Sequence, residues 1–463
     1  MLNRVIRPSL VALLTVACAT PSAVEAQSSS GVVPVELFFQ AAASDNRQAE
    51  AALRQIGAAW RPSYLPLLLD VLRQARREHW PRITGLLERQ TGQRFGTDIR
   101  AWRRWAWRQP YEPHPEFARF KSELYSFIDP AMRDFFPPGV RALIRLDEIE
   151  WGGVKVNGIP PLDHPKHVAA GEARYLGGGD VVFGFFLNGE ARAYPKRILA
   201  WHEMARDRVG GVELTIVYCT LCGTVIPYES TAGGKLRKLG TSGLLYRSNK
   251  LMFDEETNSL WSTLEGKPVV GALAGSDLRL RALPVVTTTW DEWRREHPET
   301  TVLSLATGYK RDYGEGVAYH EYFSSGELMF PVSRTDPASR LNNKDEVLVM
   351  RLAVAAGQPP QPVAISAAFL HRNRIYHAEL AGHDLTVLTS PRGANRVYAA
   401  RGVRFRRFLG DNRIEDASGG AWRITEEALV SEGGSTPSLP RLPAQRAFWF
   451  GWYAQFPETI LIK

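Results

Sequence analysis

Glu213-Leu214-Thr215-Ile216-Val217-Tyr218-Cys219-Thr220-Leu221-Cys222-Gly223-Thr224-Val225-Ile226-Pro227-Tyr228 is the stretch whose reading decides the fold. The run before the first sulfur is β-branched and aromatic, and reads as a strand. The run after the second is also β-branched and is broken by Pro227, so it is not a helix. A redox pair of the thioredoxin sort sets its first cysteine at the start of a helix, whose dipole lowers the thiol pKa. Here a Cys-x-x-Cys-Gly turn joins two strands, and the pattern resembles the knuckle of zinc-ribbon and rubredoxin sites. The glycine after the second sulfur relieves backbone strain in such a turn.

Two thiols within one turn can hold a metal, cycle as a dithiol, or close a small disulfide ring. The knuckle favours a soft or borderline ion, copper or zinc. No second knuckle exists to complete it, so further ligands must come from histidine, methionine or carboxylate. His202, in Trp201-His202-Glu203 before the strand, is the first choice, giving a metal set of Cys219, Cys222 and His202. Geometry sets a condition. A straight strand from Val212 to Tyr218 rises about 23 Å, and His202 stands only about 8 Å above the end of its expected helix. A shared site therefore needs a steep crossing or a bent strand. Met252 would point to copper(I) but reads better as core. His164 and His167 fall in a loop, and His297 ends a helix.

Working outward, the chain has 463 residues, 44% apolar and 23% charged, the balance of a globular protein with room for two or three domains. Arg4 and Arg7, the apolar run from Ser9 to Ala19, and Val24-Glu25-Ala26 read as an export signal over residues 1–26. The expected location is periplasmic or secreted, with no transmembrane segment in the mature chain. Thr15-Val16-Ala17 before Cys18 is a poor lipoprotein signature, so lipid anchoring there is not expected. The net charge of +8 is spread along the chain and argues against nucleic-acid recognition. Gly-x-Ser-x-Gly, His-Glu-x-x-His and Gly-x-x-x-x-Gly-Lys patterns are missing, and no nucleotide cofactor is expected.

Residues 27–140 carry apolar residues at three- and four-residue spacing over Val35–Ala43, Gln48–Ile56, Tyr64–Gln74 and Trp80–Gln90. Paired short helices of this kind predict a HEAT-like segment, a docking surface for an envelope partner. From residue 141 short strands take over, interrupted by helices expected at Pro195–Arg206 and Thr289–Glu296. The fold class is α+β, an all-α segment followed by a β-rich two-lobed domain, with lobes at 141–330 and 331–463.

The lobes share a pattern. Trp290-Asp-Glu-Trp293 precedes His297-Pro298-Glu299-Thr300, and Trp449-Phe-Gly-Trp452 precedes Phe456-Pro457-Glu458-Thr459 at the same spacing. Trp261 answers Trp422, and Leu214–Val217 answers Leu385–Leu388. Ser390 and Gly393 stand where Cys219 and Cys222 stand, and Asn373 where His202 stands. Residues needed only for the fold should be echoed in both lobes. The cysteines are not, which points to a site in the first lobe.

Gly158-Ile159-Pro160-Pro161, Ala191-Arg192-Ala193-Tyr194-Pro195, Trp201-His202-Glu203, the cysteine turn, Ser259-Leu260-Trp261, Thr288-Thr289-Trp290, Thr307-Gly308-Tyr309 and Arg311-Asp312-Tyr313 together resemble the bacterial family called domain of unknown function 3179. The resemblance covers most of residues 145–463. It makes Cys219, Cys222 and His202 part of a recurring pattern and carries no established activity. Three readings stand: a metal site, a thiol-disulfide oxidoreductase using Cys219 and Cys222, and a non-catalytic envelope interaction module with one structural disulfide.

Overall fold

The computed structural model describes residues 31–463 except 74 and 435. The expected export signal and Cys18 lie outside the described residues. The chain is α+β. Six helices come first: α1 (Val35–Ala41), α2 (Asn46–Ala58), α3 (Tyr64–Val71), α4 (Trp80–Thr91), α5 (Ile99–Ala106) and α6 (Phe117–Ser126). Asp45 and Asp98 cap α2 and α5, accepting from Gln48 N and Ala101 N at 2.9 Å. Among the described residues no helix is long and apolar enough to cross a membrane.

The change at residue 140 is one of secondary structure and not of core. The buried face of these helices is continuous with Leu244, Tyr246, Leu251, Phe253 and Val270 of a five-stranded sheet. A buried ionic cluster fastens the join. Asp70 of α3 accepts from Arg103 of α5 at 3.0 Å and from Lys121 of α6 at 2.7 Å. Arg103 also pairs with Glu150, and Lys121 donates to the Ile149 carbonyl at 2.9 Å, both on the first strand of that sheet.

Beyond it, two halves carry the same strand order. In the first, Val286–Thr289, Val181–Leu187, Glu190–Pro195 and Thr301–Leu303 lie side by side, antiparallel, antiparallel, then parallel. In the second, Gln445–Phe448, Glu346–Leu352, Gln361–Ser366 and Ile460–Ile462 repeat that order and those directions. Helices α7 (Lys196–His202) and α8 (Trp290–Glu296) of the first half match α10 (Ala367–Arg372) and α11 (Trp449–Gln455) of the second, with α9 (His320–Ser324) between them in the chain. Trp293 donates to Thr300 Oγ1 and Trp452 to Thr459 Oγ1, each at 2.9 Å.

One helix departs from expectation. The segment read as helical to Arg206 ends at His202, where Glu203 takes φ +54°. Met204–Val209 is a strand, paired in register with Val212–Val217. Gly210 and Gly211 both have positive φ, the requirement of a two-residue hairpin turn, so they close a hairpin and do not stop a helix. Met204, Ala205 and Val209 are buried, and that tertiary packing overrides their helical propensity.

Candidate functional site

The cysteine turn joins the strands Val212–Cys219 and Thr224–Glu229, with Cys219 opposite Thr224. Cys222 N–H donates to Cys219 O at 3.1 Å, and Gly223 turns the chain with φ +60°. The matching turn of the second half closes the same way, Gly393 N–H to Ser390 O at 3.0 Å. In the first half the two sulfurs are bonded to one another as a disulfide. Cys219 is 2% exposed and Cys222 1%. Cys222 Sγ also lies 3.3 Å from the Ser248 carbonyl oxygen, an acceptor for its proton when the pair is reduced.

The second half covers the disulfide. Phe448 N–H donates to Cys222 O at 2.7 Å, and a side chain at Gly223 would meet the Phe448 ring at 3.0 Å. On α11, a Cβ at Gly451 would stand 3.2 Å from Cys222 Cβ, so the absence of a side chain there lets the helix seat on the turn. Asn249 Nδ2 donates to Gly451 O at 2.9 Å. From the other side Tyr322 of α9 donates to Leu221 O at 2.7 Å.

Beside the turn lies a small cavity of about 50 Å³ lined by Leu221, Glu203, Lys250 and Tyr319. Lys250 Nζ donates to the Glu203 carboxylate and to the Glu203 carbonyl, each at 2.9 Å, with both side chains buried. Burial pulls the Lys250 pKa below its ordinary value, against the pull of Glu203. Tyr319 OH is 3.4 Å from the same carboxylate, and Tyr218 N–H donates to Glu203 O. Glu203 and Tyr319 both hold positive φ, a strain that bulky residues keep only when their surroundings demand it. Thr220, between the two cysteines, and Thr224, just after the turn, are fully buried, and their hydroxyls find no protein partner.

His202 sits elsewhere. Its Nδ1–H donates to Pro160 O at 2.9 Å, since a carbonyl only accepts, which leaves Nε2 to accept from Tyr313 OH at 2.6 Å. Tyr313 in turn meets Thr307 Oγ1 at 2.6 Å, and Tyr309 packs 5.2 Å from the imidazole. Burial lowers the His202 pKa. The structure thus gathers the Thr307–Tyr309 and Arg311–Tyr313 motifs on His202 and does not gather His202 with the sulfurs. Among the described residues, the only three histidine, cysteine or carboxylate donors within 4.8 Å of one another are Glu296, His297 and Glu426. Arg396 and Arg441 already pair with those carboxylates.

Met252 is fully buried in a cluster with Trp261 and Trp452. His167 lies 3.0 Å from Asp207, and His164 is in an exposed turn at φ +41°. Sequence reasoning missed Lys250 and its pairing with Glu203. The signal was a lysine directly before the apolar run Leu251-Met252-Phe253, on a strand whose six residues are all buried.

Residues 156–459 match the family model described as "Protein of unknown function (DUF3179)". No curated protein and no solved structure gives a significant match.

Proposed function

The chain belongs to that DUF3179 family, and we propose that it is a thiol-disulfide oxidoreductase whose centre is Cys219 and Cys222. The observation that carries the reading is the pairing of the two sulfurs with each other, in a turn whose counterpart in the second half carries Ser390 and Gly393 in place of the cysteines. A disulfide closing so short a loop contributes only about 2 kcal/mol by chain-entropy reasoning, which makes it a weak staple. A buried Lys–Glu pair, a backbone acceptor for one thiol proton and strained neighbours surround it instead.

In the step proposed, a partner dithiol attacks the disulfide, first forming a mixed disulfide. Its second sulfur then displaces the protein thiolate. The partner leaves as a disulfide, having given up two electrons and two protons, and Cys219 and Cys222 become thiols. Because both sulfurs are buried, α9 and its Tyr322 contact must move aside for the partner. We read the export signature as placing this chemistry outside the cytoplasm, where disulfides persist. The six helices serve, as a HEAT-like face, to dock an envelope partner.

The test is native-state reduction of oxidised protein by a small dithiol, followed by alkylation and mass analysis, with metal analysis of protein purified anaerobically. The expected result is paired alkylation of Cys219 and Cys222 without denaturant, and return of the disulfide on adding an oxidised dithiol. Sulfurs that stay closed until the protein unfolds would favour the structural-disulfide reading. One equivalent of copper or zinc, lost in Cys219→Ser, would favour the metal reading.

A further inference from the structure

The turn at Ser390 and Gly393, the counterpart of the cysteine turn, faces a cavity and not a closed seam. The pseudo-symmetry explains why. In the first half the turn is sealed by α11, where Gly451 stands between Trp449 and Trp452. The matching helix α8 lies over the second turn, and Glu292 stands between Trp290 and Trp293. Where one site has a glycine against a sulfur, the other has a carboxylate beside Ser390 and Pro391. The resulting cavity is about 400 Å³, within the range of small-molecule sites.

Its polar groups are unevenly matched. Glu292 is 1% exposed; one carboxylate oxygen accepts from Thr288 Oγ1, and the other has no hydrogen-bond donor. The nearest cation to that oxygen is the exposed Arg295 at 4.0 Å. A buried carboxylate oxygen without a donor is costly unless a ligand supplies one. Arg374, also lining the cavity, donates its Nε to Thr389 O at 3.0 Å and stacks 4.8 Å from the Phe408 ring centre. Among the described residues nothing accepts from its two terminal nitrogens. Arg396 and Arg413, by contrast, are already paired with Glu296 and Glu426, and with Glu432.

We infer that this cavity binds a small zwitterion of amino-acid or short-peptide size, its ammonium on Glu292 and its carboxylate on Arg374. The planar guanidinium fork suits a carboxylate, and Phe408 packs against that fork. The site is independent of the disulfide chemistry and does not rest on it.

Glycine, diglycine and triglycine, which step the distance between the two charges, are titrated calorimetrically into the full chain, alongside their N-acetylated and C-amidated forms. One member should bind, and each blocked form should bind at least tenfold more weakly. Glu292→Gln and Arg374→Gln should each cost at least tenfold in affinity. Arg374 is the more exposed of the two, so its variant keeps the test open if the first fails to fold. The inference is overturned if no member binds, or if the binding member is indifferent to blocking or to Arg374→Gln.

Discussion

Gly451 of α11 lies so close to Cys222 that a methyl in its place would stand 3.2 Å from Cys222 Cβ, and this close approach helps seat the second half on the disulfide. Gly451→Val should therefore overpack the seam and destabilise the protein by roughly 1–3 kcal/mol. Urea unfolding measures it. An unchanged midpoint would mean that α11 does not rest on the turn.

Lys250 and Glu203 form a buried ion pair in which each compensates the other. Lys250→Met leaves the carboxylate unpaired and should cost about 3–5 kcal/mol. The double variant Lys250→Met/Glu203→Met should recover much of that loss, since a buried pair replaced by apolar groups is often neutral. A double variant as unstable as the sum of the singles would show no coupling.

His297 packs 4.1 Å from the Trp293 ring, and its pKa is pushed down to about 4, by burial first and then by Arg396. The unfolded chain binds this proton below about pH 6.5, whereas the folded chain resists it until about pH 4. Stability should therefore fall as pH drops through that window, by about 3 kcal/mol once complete. In His297→Gln this part of the acid loss should vanish. Identical pH profiles for the two proteins would contradict it.

The helices and the five-stranded sheet share one core, tied by Asp70, Lys121, Arg103 and Glu150. A chain starting at residue 141 should consequently fail to fold, with Leu244 and Phe253 uncovered. Lys121→Met in the full chain should cost about 3–5 kcal/mol, because it strips a buried carboxylate of one partner. A soluble, cooperatively unfolding 141–463 fragment would show that the shared core is dispensable.

The strands around the cysteines were legible because β-branched alternation, glycine and proline are local signals. The repeated tryptophan motifs were legible because each half uses the same helix against the same threonine. The end of α7 was not. Met204–Val209 reads as helix until its pairing with a later strand is known, and Gly210-Gly211 serves equally as a helix stop or a hairpin turn. Nor were the partners of His202 legible: Pro160 and Tyr313 are 42 and 111 residues away in sequence. The Lys250–Glu203 pair, 47 residues apart, was invisible for the same reason: spacing reveals neighbours along an element, not across a core.

The reduction potential of the Cys219–Cys222 pair tests the central claim most directly. Oxidised protein equilibrated with graded mixtures of reduced and oxidised dithiol, then quenched and counted for free thiols, gives the value. A reversible centre requires a single two-electron transition above about −300 mV, the level below which structural disulfides resist biological reductants. A transition below that level, or none without denaturant, would contradict the account.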